Sequence, residues 1–194
     1  MGKQDTPPNR SVAELVTQLG RYAYGDTPAA GLTPAQWTAL RYFSRANRFS
    51  RTVSAFAEFH ATTRGTASGT VKSLVQGGYL KRTRSSSDGR SARLDVTSKA
   101  RAILSNDPFQ RLTRAAETLS TTARRVVASG LDRMLGELAH DLCKPRFGVC
   151  TDCRYLGGDG CCQEGQPPYA CSLLNEPLTE PETEQLCVNF ESNT

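Results

Sequence analysis

All seven cysteines of this 194-residue chain (Cys143, Cys150, Cys153, Cys161, Cys162, Cys171 and Cys187) fall within residues 143–194. Thiolates bind metals and clusters, and Cys150 and Cys153 form a C-x2-C pair whose sulfurs can converge on one centre. Cys171 and Cys187 each lie among apolar residues, in Tyr169-Ala170-Cys171-Ser172-Leu173 and Leu186-Cys187-Val188-Asn189-Phe190. The expected ligand set is therefore Cys150, Cys153, Cys171 and Cys187. Cys161 and Cys162 are adjacent, and neighbouring cysteines rarely ligate one atom together, so Cys162, and after it Cys161, is the substitute. Cys143 is a spectator at a helix end. A four-cysteine zinc site usually carries two C-x2-C knuckles, and the second is missing here. Iron–sulfur clusters often take one close pair with distant partners. The pattern predicts an iron–sulfur cluster, 4Fe–4S ahead of 2Fe–2S, shielded by Tyr155, Tyr169, Leu173 and Phe190. Structural zinc and a metal-free thiol switch are the alternatives.

A second group of residues suits a polyanion. Thr63 caps a helix whose apolar stripe is Ala67, Val71, Leu74 and Val75, and Gly77-Gly78 stops it. The opposite face carries Thr66, Gly69, Thr70 and Ser73, and Arg64 and Lys72 join Thr66, Thr70 and Ser73 as candidate DNA contacts. Solvated helix faces are usually rich in acids and lysines, yet no acid occurs between Glu58 and Asp88. Small hydroxyls without carboxylates suit close approach to a DNA groove.

The elements that would position these residues follow from caps and periodicity. Residues 1–10 form a disordered lead. The capping-box spacing Ser11-Val12-Ala13-Glu14 opens a helix with Val12, Leu15, Val16, Leu19 and Ala23 on one side. Thr33-Pro34-Ala35-Gln36 starts a second helix, with Trp37, Leu40 and Phe43 inward. A short helix runs over 53–59. After the helix capped by Thr63, residues 79–84 and 92–97 read as strands around the turn Ser85-Ser86-Ser87-Asp88-Gly89-Arg90. Helix, turn, helix and basic hairpin make a winged helix-turn-helix. Arg90 at the tip would reach a minor groove, with Asp88 holding its guanidinium. Arg48, Arg51, Lys72, Arg82, Arg84 and Arg93 are candidate phosphate contacts. His60 and His140 read as structural.

Residues from about Leu32 to Leu104 closely resemble the winged-helix core of the MarR (multiple-antibiotic-resistance regulator) family. The resemblance is carried by Leu74-Val75-x-x-Gly78-Tyr79-Leu80, Asp88-x-Arg90-Ser91 and Leu94-x-Val96-Thr97-x-Lys99-Ala100, where members commonly show Gly in place of Ala100. It implies a homodimeric transcription regulator, repressing rather than activating, on a pseudo-palindromic double-stranded DNA operator. It also implies a dimer built from the first and last helices. The segment 98–142 is helical in pattern, interrupted at Asn106-Asp107-Pro108. Its last part sets Val127, Leu131, Met134, Leu135, Leu138 and Leu142 on one stripe.

The expected fold class is thus mainly α with a small β-hairpin wing. It divides into an N-terminal dimerisation helix (11–31), a winged helix-turn-helix core (32–104), dimerisation helices (105–142) and an irregular cysteine-rich module (143–194). Charge follows the same division: residues 143–194 hold three Lys and Arg against eight Asp and Glu, and the rest holds 21 against 11. A polar N-terminus and no long apolar run predict a cytoplasmic chain with no membrane partner. No nucleotide-binding loop, acid–base pair or nucleophile constellation is present, so no enzymatic activity is expected. The expected mechanism is that loss or oxidation of the centre reorders the tail and shifts the long helices that space the two recognition helices.

Overall fold

Short-range capping signals set most of the helices. A computed structural model describes residues 8–24, 29–84, 92–158 and 167–193. Helix α1 (Pro8–Tyr24) starts ahead of Ser11. Proline is pre-organised for a first helical turn, and an Arg10–Glu14 ion pair at 3.0 Å supports that turn. Ser11 therefore lies inside the helix, and the expected Ser11–Glu14 capping box is a correction.

Helix α2 (Pro34–Arg45) begins as the sequence predicts, with a reciprocal box: Gln36 N–H donates to Thr33 Oγ1 at 3.3 Å, and Thr33 N–H to Gln36 Oε1 at 2.8 Å. Helix α3 (Val53–Phe59) is capped by Thr52, and α4 (Arg64–Gln76) by Thr63. Gly78 then takes φ 73°, a left-handed turn that favours glycine and releases the chain into the hairpin. Strands β1 (Leu80–Arg84) and β2 (Ala92–Val96) pair antiparallel from Leu80 opposite Val96 to Arg84 opposite Ala92. Helix α5 (Ser98–Leu104) follows under a Thr97 cap.

The core of this unit joins α2, α3, α4 and the hairpin. Leu40, Tyr42, Phe43, Phe56, Val71, Leu74, Leu80 and Leu94 are each at most 2% exposed. Burying a side chain of this size stabilises by roughly 1.5–3 kcal/mol, so the helix-turn-helix is held by its own apolar face.

Beyond Pro108 the helical region has one more break than expected. Helix α6 (Gln110–Glu117) ends at Thr118, and α7 (Thr121–Asp141) restarts with Ser120 accepting from Ala123 N–H at 3.2 Å. Neither α6 nor α7 contains a buried residue. No helix among the described residues is long and apolar enough to cross a membrane.

The tail is more regular than expected. Strand β3 (Gly148–Val149) leads into a 3-10 turn over Cys150–Asp152, followed by β4 (Leu156–Gly158), β5 (Tyr169–Cys171), β6 (Glu176–Leu178), a one-turn α8 (Glu180–Thr183) and β7 (Leu186–Cys187). Strands β4, β5 and β6 form one antiparallel sheet, and β3 pairs with β7. The module also borrows a core. Leu186, 8% exposed, belongs to the same apolar cluster as Leu40 and Phe56.

Candidate nucleic-acid interface and thiol site

Helix α4 presents Arg64, Thr66, Lys72 and Ser73 to solvent, with Thr70 half-buried. Their hydroxyls are held in place locally. Thr66 Oγ1 lies 2.9 Å from Thr63 Oγ1, Thr70 donates to the Thr66 carbonyl at 3.3 Å, and Gln36 Nε2 donates to Ser73 Oγ at 2.8 Å. A Cβ at Gly69 would meet nothing within 4 Å, so the helix is bare there. This low, acid-free surface is what close approach of a groove requires.

The basic residues around it divide. Arg82 is exposed on β1, and Arg84 ends that strand opposite Ala92. Asp88 and Arg90 lie outside the described residues. Arg93 is half-buried and turned toward Asp95, with Nε 3.5 Å from Asp95 Oδ1. Arg48 and Arg51, expected to contact phosphates, are engaged inside the protein, which corrects that expectation. The Arg48 guanidinium reaches Glu182 at 2.8 Å, Glu176 at 3.3 Å and the Pro177 carbonyl at 2.6 Å. Arg51 donates to the Ala46 carbonyl and to Asp95 Oδ1, each at 2.8 Å. Burial alone would raise the Asp95 carboxyl. Hydrogen bonds from Thr83 and Arg51, with the charges of Arg93 and Arg51, outweigh it and hold the group below the ordinary range.

The thiols are built from two ladders. The β3–β7 pairing sets Gly148 opposite Cys187, two residues ahead of Cys150. The 3-10 turn closes the C-x2-C pair with a bond from Cys153 N–H to the Cys150 carbonyl at 2.9 Å. Ser172 N–H donates to the Tyr155 carbonyl at 2.9 Å, which brings the end of β5, and Cys171, beside the C-x2-C turn. Cys150, Cys153 and Cys187 are each 7% exposed, and Cys171 is half-buried. Cys153, Cys187 and Phe190 form one small apolar cluster with Tyr155 against it. The pocket excludes a side chain at Gly148, where a Cβ would stand 2.5 Å from the Phe190 ring.

Burial pushes the Cys150 thiol up to about 11, and Cys187, Cys153, Cys171 and the Glu182 carboxylate push the same way. The four cysteines singled out in the sequence are thus electrostatic neighbours. Their donor set suits a soft metal or a cluster. As they stand they are not a preformed coordination sphere: among the described residues, no three His, Cys, Asp or Glu side chains are grouped to hold an ion. Cys143 is exposed, and Cys161 and Cys162 lie outside the described residues. His60 stacks on Phe56 at 5.5 Å, and burial lowers its imidazole. His140 is exposed at the end of α7, 3.7 Å from Asp141.

The sequence did not point to the residues that dock the module on the helix-turn-helix. Asn47 N–H donates to the Leu186 carbonyl at 2.9 Å, and Val188 N–H to Ser50 Oγ at 2.8 Å. Asn47 and Ser50 are 1% and 0% exposed. The only hint was the charge division, with acids in the tail facing a basic loop.

Residues 30–91 match the model of the MarR family. The match covers α2 to α4 and β1, and ends just before β2. The fold is the MarR winged helix. Solved structures agree. MepR of Staphylococcus aureus, crystallised as a DNA complex, is 15% identical with a TM-score of 0.58, over 70% of this chain and 99% of that one. The transcriptional regulator SlyA is 20% identical with a TM-score of 0.55, over 70% and 96%. A MarR transcriptional regulator from Methanosarcina mazei Go1 is 18% identical with a TM-score of 0.53, over 66% and 94%. No curated protein matches the chain in sequence.

Proposed function

We propose that the chain is a homodimeric transcriptional regulator, a repressor, that binds a pseudo-palindromic double-stranded DNA operator. In this reading an iron–sulfur cluster on Cys150, Cys153, Cys171 and Cys187 reports redox, oxygen or iron status. DNA binding is supported by the bare, acid-free face of α4 in a winged helix and by MepR having been crystallised with DNA. Helix α4 enters the major groove, and phosphate neutralisation by the basic body supplies much of the affinity. Exposed apolar residues on α1 (Leu15, Leu19) and α7 (Val126, Val127) support a second copy as their cover.

The observation that carries the sensing reading is the gathering of four buried or half-buried thiols in a module docked on the DNA-binding unit. Bound there, a cluster would supply an oxidant-sensitive centre, and the chain's own part is to shield it with Tyr155 and Phe190. The test is iron, zinc and acid-labile sulfide analysis with a visible spectrum, on protein purified without oxygen. Near-equal iron and sulfide, with a broad band at roughly 400 nm, is the expected result. Zinc alone in a colourless sample overturns it.

That outcome would leave a second reading: a structural zinc with a small-molecule effector. A cavity of about 310 Å³ between α3, α7 and residues 144–147, lined by Phe59, Leu135, Leu138 and Phe147, favours it.

A further inference from the structure

Cys187 is flanked by two residues that are both bonded to the loop between α2 and α3. On one side the Leu186 carbonyl accepts from Asn47 N–H, and on the other Val188 N–H donates to Ser50 Oγ. That loop is rigid in its own right. Asn47 Oδ1 accepts from Ser50 N–H at 3.0 Å, and the Tyr42 hydroxyl donates to the Ser50 carbonyl at 2.7 Å. The next residue, Arg51, ties the loop to the wing twice. Its carbonyl accepts from Leu94 N–H at 2.9 Å, and its guanidinium pairs with Asp95. Asp95 also accepts from Thr83 Oγ1 at 2.7 Å, which spans the two strands of the hairpin. A continuous set of buried or half-buried bonds therefore runs from a thiol to the base of the wing. The long helix α7 meets the tail at residues 144–147, through the Lys144 N–H to Ala139 carbonyl bond and the more exposed Arg146–Asp132 pair, each at 2.8 Å.

We propose that the state of the thiol site is communicated to the wing through the path Cys187, Ser50, Arg51 and Asp95. This rests on reading the thiols as a ligand site. Ligation of Cys187 fixes β7, β7 fixes residues 47–50, and Arg51 then sets where β2 holds the hairpin against DNA. Releasing Cys187 frees a segment whose two neighbours are the loop's partners, so the wing loses its anchor while α4 keeps its packing on α2.

The experiment uses the full chain and a duplex selected by the wild-type protein from a random-sequence pool. Affinity and hydroxyl-radical footprints are compared for protein as purified and protein stripped with a chelator and ferricyanide. Stripping the wild type should weaken binding about tenfold and remove protection at the flanks, where the wing lies, while the centre stays protected. Asp95→Asn and Ser50→Ala should remain folded, with a lowered thermal transition, and retain the wild-type metal content. They should bind as the stripped wild type does, and change less than twofold on stripping. Ser50→Ala carries the test if Asp95→Asn does not fold. Folded, metal-loaded variants that keep the tenfold ratio overturn the path and leave the metal-gated reading standing. A wild-type ratio within twofold overturns both.

Discussion

Arg48 illustrates how a side chain that looks made for phosphate is spent elsewhere. Two carboxylates and a carbonyl occupy its guanidinium, and the Glu182 side chain is only 17% exposed. Charge-assisted hydrogen bonds of this kind contribute about 1.5–3 kcal/mol each when sheltered and less at this exposure. Arg48→Ala should therefore lower stability to urea by about 1–2 kcal/mol and loosen residues 176–188 in hydrogen exchange. If it contacted phosphate instead, stability would hold and DNA affinity alone would fall. Asp95 gives a pH dependence of known sign. Its folded carboxyl sits below the ordinary value, so its contribution is present above the unfolded value near pH 4 and is lost as pH falls through the folded one. The stability gap between wild type and Asp95→Asn should close as urea midpoints are followed from neutral pH to below pH 4.

Elements, by contrast, were largely legible in the sequence. The Thr33 box, the Thr63 cap and the Gly77-Gly78 stop act over three or four residues, so a local reading finds them. The start of α1 and the break at Thr118–Ser120 were missed because several residues there satisfy a cap or a first turn equally well. The spacing and apolar flanks of Cys150, Cys153, Cys171 and Cys187 suggested a ligand set, and these thiols are electrostatic neighbours without forming a preformed coordination sphere. The contact between Ser50 and Val188 was not, since it joins residues 138 apart with no periodic signal. Gly69 offers a test of α4 as an element. Its Cβ would point into open space, so Gly69→Ala should stabilise the helix by roughly 0.5–1 kcal/mol. The same methyl should weaken operator binding in a gel-shift assay if that face enters a groove. Unchanged or tighter binding would place the groove elsewhere.

For the whole molecule, the exposed apolar residues of α1 and α7 demand a cover. Leu15→Glu and Val127→Glu should shift the protein toward monomer in sedimentation velocity. Operator affinity should fall with it, because two half-sites would no longer be held together. The placement of Leu186 has a different consequence, in the order of synthesis. A residue synthesised well after residues 32–104 completes an apolar cluster otherwise built from them and their neighbours. Emerging chains fold their N-terminal parts first, so the winged helix leaves the ribosome with one wall of its core unfinished. A message cut short before Leu186 would yield a winged helix with an open apolar seam, exposed to proteases.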